Sequence, residues 1–176
     1  LVVGGSQGAP AVNRAVGEML ATLPADAPAF QFIHLTGSAA NAEVEQAYAD
    51  AGVPAVVRER ESRMERCYTA ADVSICRAGA STLAELALFG LPAVLVPYPH
   101  AKDGHQQVNA DMVQDLDAGD VIRQDALSPA GLGAALLRTW DQRTERGARM
   151  QTLARPDAAA DMARALHALA AGRPAV

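Results

Sequence analysis

Val73-Ser74-Ile75-Cys76-Arg77-Ala78-Gly79-Ala80-Ser81-Thr82-Leu83-Ala84-Glu85 sets a short apolar run against a turn of small residues and the start of a helical stretch. The run Val73 to Cys76 is near-continuously apolar rather than alternating, the pattern of a strand covered on both faces of a parallel sheet. Five further runs share this character: Leu1 to Val3, Phe30 to Leu35, Ala55 to Val57, Ala93 to Val96 and Val121 to Ile122. Amphipathic stretches of helical length separate them. Strand then helix, repeated along one chain, predicts a doubly wound α/β fold with a Rossmann-like parallel sheet of about six strands.

The helix boundaries are signposted. Pro10 suits a first-turn position, Gly52 and Gly90 suit the left-handed residue just past a helix end, and Ser128-Pro129 reads as a cap followed by the first helical residue. Pro156 to Ala170 reads as a last helix. The charged stretch Asp141 to Arg149 reads as a solvated helix face or turn. No internal repeat or long linker interrupts the pattern.

Composition narrows the class. With 176 residues, 50% hydrophobic and 20% charged, the chain is large enough for its own core, and disorder and collagen are excluded. We read 1–176 as a single domain. Fifteen basic against twenty acidic residues leave a net charge of −5, which argues against a nucleic-acid partner and against electrostatic docking of this domain on an anionic membrane. Cys67 and Cys76 sit in no metal-binding spacing and read as buried, reduced thiols. No run is long enough to span a bilayer and no signal peptide opens the chain. Leu1-Val2-Val3 reads as the end of a buried strand with no initiator methionine before it, so a piece of a longer protein is expected.

In a doubly wound fold, ligands bind outside the carboxyl ends of the strands, before the next helix. Four segments occupy such positions. Gly4-Gly5-Ser6-Gln7-Gly8 follows the first strand and opens a helix, so its glycines let backbone amides approach an anion at a helix N-terminus. It has neither the Gly-Lys-Ser/Thr ending of a Walker loop nor G-x-G-x-x-G spacing. It does fit G-x-S-x-G, which leaves open a nucleophile elbow with Ser6 as nucleophile and His100, His105 or His167 as base, beside a purely structural turn.

In the stretch quoted first, small residues keep the turn open, and Ser81 or Thr82 is placed to cap the helix while free amides face a diphosphate. Glu85 has two readings here: the glutamate of a capping box Thr82-x-x-Glu85, or an acceptor for the vicinal hydroxyls of a ribose. Pro97 to Ala110 is a proline-stiffened loop running into a helix, where His105, Gln106, Gln107 and Asn109 offer neutral donors and acceptors to a polyhydroxylated ligand such as a sugar. His100, Asp103 and His105 raise the question of a metal, but their spacing matches no known ligand signature. Arg58 to Met64 taken alone is a charged surface loop, and His34 and His167 read as structural.

Together these residues resemble a known family. Gly4-Gly5-Ser6-Gln7-Gly8-Ala9, then Cys76-Arg77-Ala78-Gly79-Ala80 with Glu85, Gly90-Leu91-Pro92-Ala93, and His105-Gln106 with Asn109-Ala110 occur in the order seen in the MurG family, and the resemblance runs from Leu1 to about Ala170. It implies the C-terminal, donor-binding half of a GT-B glycosyltransferase, with an acceptor-binding N-terminal domain absent from this chain. The implied activity is inverting transfer of N-acetylglucosamine (GlcNAc) from UDP-GlcNAc to lipid I, giving lipid II for peptidoglycan. It implies no cofactor and no metal, a lipid-linked acceptor bound through the other domain, and a cytoplasmic protein peripheral on the inner membrane.

By the same resemblance, Gly5, Ser6, Gln7 and Gly8 lie beside the nucleotide, and Gly79, Ala80, Ser81 and Thr82 face the diphosphate. Glu85 holds the ribose, and His105, Gln106, Gln107 and Asn109 line the sugar. The sequence departs from the family at Arg60-Glu61, where an aromatic and an aliphatic residue usually frame the uracil. Stacking by the Arg60 guanidinium and a backbone contact from Glu61 would take their place. A catalytic base belongs to the other domain, so this chain is expected to bind without turning over. The residues leave two alternatives open: a binding subunit of a split GT-B transferase, and the donor domain of a diacylglycerol galactosyltransferase.

Overall fold

The computed structural model describes residues 1–5, 7–37 and 41–172. Six strands, β1 (Val2–Val3), β2 (Phe32–Leu35), β3 (Ala55–Arg58), β4 (Ser74–Cys76), β5 (Ala93–Leu95) and β6 (Gly119–Val121), form one sheet in the order β3-β2-β1-β4-β5-β6. All five pairings are parallel. Among the described residues there are eight α-helices, the first five alternating with the strands and the last three following β6: α1 (Pro10–Leu20), α2 (Asn41–Asp50), α3 (Met64–Ala70), α4 (Ala80–Phe89), α5 (His105–Asp115), α6 (Pro129–Asp141), α7 (Arg143–Gln151) and α8 (Ala158–Ala170). This is the expected doubly wound architecture. The direction of winding reverses between β1 and β4, so the crevice that such folds offer to ligands opens outside Val3 and Cys76.

Strand alternation divides the core in two. Val2, Ile75 and Val94 face α1 and α6, packing with Val12, Val16, Met19 and Leu132. Leu35, Cys76 and Leu95 face the other way, against Leu83 and Leu86 of α4, Val113 of α5 and Met150 of α7. The boundary signals act where expected. Pro10 is the first residue of α1, Gly90 ends α4 in the left-handed region (φ 59°), and the Ser128 Oγ accepts from the Gly131 N–H at 3.2 Å with Pro129 opening α6. The last helix appears as α8, with none of its residues buried.

Two expectations need correction. The sixth strand starts two residues before the expected Val121, at Gly119-Asp120, a pair that propensity places outside strands. Only glycine fits at Gly119, since a Cβ there would lie 2.2 Å from the Ala93 carbonyl oxygen, and Asp120 is neutralised by ion pairs with Arg138 (3.2 Å) and Arg146 (3.3 Å). The charged stretch Asp141 to Arg149 is not wholly solvated either: Arg146 is buried at 5% exposure. Packing decides this. A Cβ on Gly147 would meet the Gly90 carbonyl oxygen at 2.5 Å, so α7 lies close against the end of α4 and turns Arg146 inward, where it donates to Thr139 Oγ1 (3.0 Å) and pairs with Asp117 and Asp120.

His34 is structural, as read. It is fully buried, with Nδ1 3.1 Å from the Tyr48 hydroxyl and Nε2 3.1 Å from Asn13 Oδ1. Asn13 Nδ2 donates to the Thr36 carbonyl, so its oxygen faces the ring, Nε2 carries the imidazole proton, and Nδ1 accepts from Tyr48. Cys67 and Cys76 are free and buried, and burial pushes the Cys76 thiol up to about 12, leaving it inert.

Candidate functional site

The four loops singled out in the sequence lie at the carboxyl ends of β1, β3, β4 and β5, and backbone contacts through the end of β2 join the first two of them. In the β1–α1 loop, Gly5 (φ 85°) and Gly8 (φ 75°) make a turn closed by the Gly8 N–H on the Gly5 carbonyl at 3.0 Å. Gly37, after β2, packs so closely that a Cβ would lie 2.3 Å from the Gly8 backbone. Backbone on backbone at this distance demands glycine. Amides of Thr36 and Gly37 donate to the carbonyls of Arg58 and Glu59, extending the contact to the β3 loop. Gln7 is exposed beside the turn; Ser6, and with it the nucleophile reading, lies outside the described residues.

The β4–α4 turn differs from expectation. Gly79 is the residue that precedes α4, and no side chain caps it, so Ser81 and Thr82 lie inside the first turn rather than at its cap. The first intrahelical bond runs from the Leu83 N–H to the Gly79 carbonyl, which leaves the amides of Ala80, Ser81 and Thr82 without intrahelical acceptors. An uncapped helix N-terminus at the winding reversal presents its free amides to the crevice, the arrangement that favours anions. The capping-box reading of Glu85 falls for the same reason: Glu85 is the sixth residue of α4, too far along to reach its start. Its Oε2 instead accepts from the Tyr68 hydroxyl at 2.5 Å.

The β5–α5 loop reaches α5 through Asp103 (φ 52°) and Gly104 (φ 65°), successive left-handed residues that turn the chain sharply. Gln106 Oε1 accepts from the Tyr98 N–H at 2.9 Å, which folds the loop onto the helix start. His105 Nδ1 lies 2.5 Å from the Lys102 carbonyl and therefore donates to it, leaving Nε2 as an acceptor. Asn109 Nδ2 donates to the Ala78 carbonyl at 2.9 Å, joining α5 to the β4–α4 turn, and Gln107 Nε2 donates to Asp111 at 2.7 Å. Among the described residues, Gln106 Nε2 and His105 Nε2 have no hydrogen-bond partner, while Asn109 and Gln107 are engaged within the protein. Among the same residues, no group of three His, Cys, Asp or Glu stands together as a metal site.

In the β3–α3 loop, Glu61 is held by its own segment. It accepts from the Arg63 N–H (2.9 Å) and from Arg58 Nη1 (2.7 Å), and these contacts hold its carboxyl below the usual carboxylate range. Arg60 is exposed and pairs with Glu59 at 3.6 Å. Its guanidinium is available to stack.

Two residues escaped the sequence reading of the site. Arg77, buried at 8% exposure, donates to the carbonyls of Val96 (3.0 Å) and Pro97 (3.2 Å) and to Gln124 Oε1 (2.7 Å), and lies 5.4 Å from the Tyr98 ring centroid. It fastens the β4, β5 and β6 ends together. A lone arginine directly after an apolar strand was the available signal. Tyr68 is the other, and nothing local marks it. Beside these loops a hollow of about 330 Å³ opens among Tyr98, Pro99, Gln107, Arg123 and Gln124.

Residues 1–165 match the glycosyltransferase family 28 C-terminal domain. The chain belongs to that family. It is 41% identical over 167 residues to the UDP-N-acetylglucosamine–N-acetylmuramyl-(pentapeptide) pyrophosphoryl-undecaprenol N-acetylglucosamine transferase of Methylococcus capsulatus, covering 93% of this chain and 47% of that protein. To the enzyme of the same name from Xanthomonas euvesicatoria pv. vesicatoria it is 43% identical over 162 residues, 90% of this chain and 37% of the relative. The crystal structure of Acinetobacter baumannii MurG superposes with a TM-score of 0.78 at 33% identity, over 89% of this chain and 46% of that one. The chain thus spans less than half the length of the curated relatives it matches. In this chain the uncapped start of α4, the glycine turn after β1 and the loop before α5 all lie at the carboxyl end of the sheet.

Proposed function

We propose that this chain is the donor-binding domain of a GlcNAc transferase and that it binds UDP-GlcNAc without a metal. The observation that carries the reading is the start of α4, where three amides without intrahelical acceptors precede a part-buried carboxylate at the winding reversal of the sheet. The relatives' names, which include UDP-N-acetylglucosamine, support that donor. In this reading the amides of Ala80 to Thr82, preceded by Gly79, seat the diphosphate. The Gly5 to Gly8 turn, with Ser6 and Gln7, borders the nucleotide, Glu85 accepts from the ribose hydroxyls, and Arg60 and Glu61 border the uracil. His105 and Gln106 face the sugar. Asn109 and Gln107 act from behind, by fixing the turn and the helix surface.

Chemically, this half serves the leaving group. As the acceptor hydroxyl displaces UDP at the anomeric carbon, negative charge grows on the diphosphate, and fixed amide dipoles at a helix start stabilise it without reorganising. The lipid-linked acceptor and the base that deprotonates it belong to the remainder of a protein as long as the relatives. Among the described residues no helix is long and apolar enough to cross a bilayer.

Gln106→Ala is expected to weaken UDP-GlcNAc by about threefold to tenfold, the worth of one neutral hydrogen bond, and to leave UDP unchanged. Calorimetry with both ligands checks it; equal loss for both would remove Gln106 from the sugar. EDTA is expected to leave both affinities unchanged, and a loss on chelation would contradict the metal-free reading.

A further inference from the structure

We propose that Tyr68 of α3 is a positioning residue for ribose recognition, holding the Glu85 carboxylate in the orientation that accepts the vicinal hydroxyls. The inference rests on the reading of Glu85 as the ribose ligand. Its basis is geometric. The Tyr68 hydroxyl donates to Glu85 Oε2 at 2.5 Å across the α3–α4 contact, and its ring, 4% exposed, lies 5.4 Å from the Phe89 ring at an interplanar angle of 32°. The ring therefore has one place to be. Glu85 has no other hydrogen-bond partner among the described residues, so Oε1 keeps all its accepting capacity and Oε2 keeps a second lone pair.

Burial first, and the adjacent carboxylate second, raise the Tyr68 phenol well above its ordinary value, which keeps it a donor at every working pH. Glutamate is among the side chains that lose most rotamer freedom when ordered. A carboxylate already clamped by Tyr68 is ordered on folding, so that loss is not taken from the binding energy of the nucleotide. Without the clamp, Glu85 on the rim of the crevice would have to be ordered by the ligand itself. Tyr68 touches no ligand in this account and acts wholly through Glu85.

The test compares UDP with 2′-deoxy-UDP by calorimetry on the wild-type chain, Tyr68→Phe, Glu85→Ala and the double variant. Phenylalanine keeps the ring against Phe89, and thermal melts verify that each variant is folded. Tyr68→Phe is expected to weaken UDP about threefold to tenfold and 2′-deoxy-UDP, which keeps only the 3′-hydroxyl for Glu85, by clearly less, so that discrimination between the two shrinks. In the Glu85→Ala background the same substitution is expected to change nothing further, since coupled residues are not additive. Equal weakening of both ligands by Tyr68→Phe, or none, would overturn the positioning role while leaving Glu85 as the ribose ligand. If Glu85→Ala itself left the discrimination intact, the ribose reading would fail, and the role of Tyr68 with it.

Discussion

Glu85→Ala is expected to weaken UDP binding by about 1.5 to 3 kcal/mol, the range for hydrogen bonds to a charged group, or roughly tenfold to over a hundredfold in affinity. The position of Glu85 makes this prediction sharp. As the sixth residue of α4 it takes no part in capping, so its removal leaves the helix start intact, and alanine is the better helix former. What is lost within the protein is the bond from Tyr68 to the carboxylate, itself worth about 1.5 to 3 kcal/mol. Affinity and stability should therefore both fall, by comparable amounts. Calorimetry and a urea unfolding curve on the same variant separate the two. A variant that lost stability and kept its affinity would return Glu85 to a structural role.

The second large effect is on stability against pH. Burial lowers the His34 pKa from 6.5 to about 4. Above pH 6.5 the imidazole is neutral in both folded and unfolded chains and contributes no pH dependence. Below 6.5 the unfolded chain takes up a proton that the folded one refuses, so stability falls as the pH drops, until the folded imidazole itself protonates near 4. Across that window the loss amounts to about 3 kcal/mol, at about 1.36 kcal/mol per pKa unit. Protonation would also set an N–H against Tyr48 where a lone pair now accepts. Urea unfolding at pH 7, 5.5 and 4.5 measures this, with His34→Gln as the non-titrating reference. A wild-type curve with the same slope as the variant's between 6.5 and 4 would show that His34 is not the group responsible.

The sheet was legible because its signal is local. Each central strand is buried on both faces and therefore writes a continuous apolar run, and the starts of α1 and α6 and the end of α4 carry a Pro, Ser or Gly whose effect needs no distant partner. β6 blurred at Gly119-Asp120 because its residues answer to neighbours far along the chain: the Ala93 carbonyl forbids a side chain at 119, and Arg138 and Arg146 neutralise the charge at 120. Arg146 was misplaced for the same reason, since charge density along Asp141 to Arg149 carries no record of the Gly147–Gly90 contact that turns it inward.

The site divides similarly. Its loops could be found from glycines and small residues after apolar runs, because those residues are required by local backbone geometry. The helix start was misread at Ser81 and Thr82, since a capping sequence can lie one turn inside a helix whose true boundary is set by Gly79 and the end of β4. Arg77 reaches Gln124 across 47 positions and Tyr68 reaches Glu85 across 17, pairings that only the folded chain brings together.

The central claim is that this domain seats a uridine diphosphate sugar by itself, through fixed amides and Glu85, without a metal. Calorimetric titration of the chain with UDP, UDP-GlcNAc, UDP-galactose and a non-uridine nucleotide sugar, in buffer containing EDTA, tests it most directly. The account predicts binding of UDP, tighter binding of UDP-GlcNAc than of UDP-galactose, and no measurable binding of the non-uridine sugar. Absence of binding by UDP and UDP-GlcNAc, or equal affinity for all four, would contradict it.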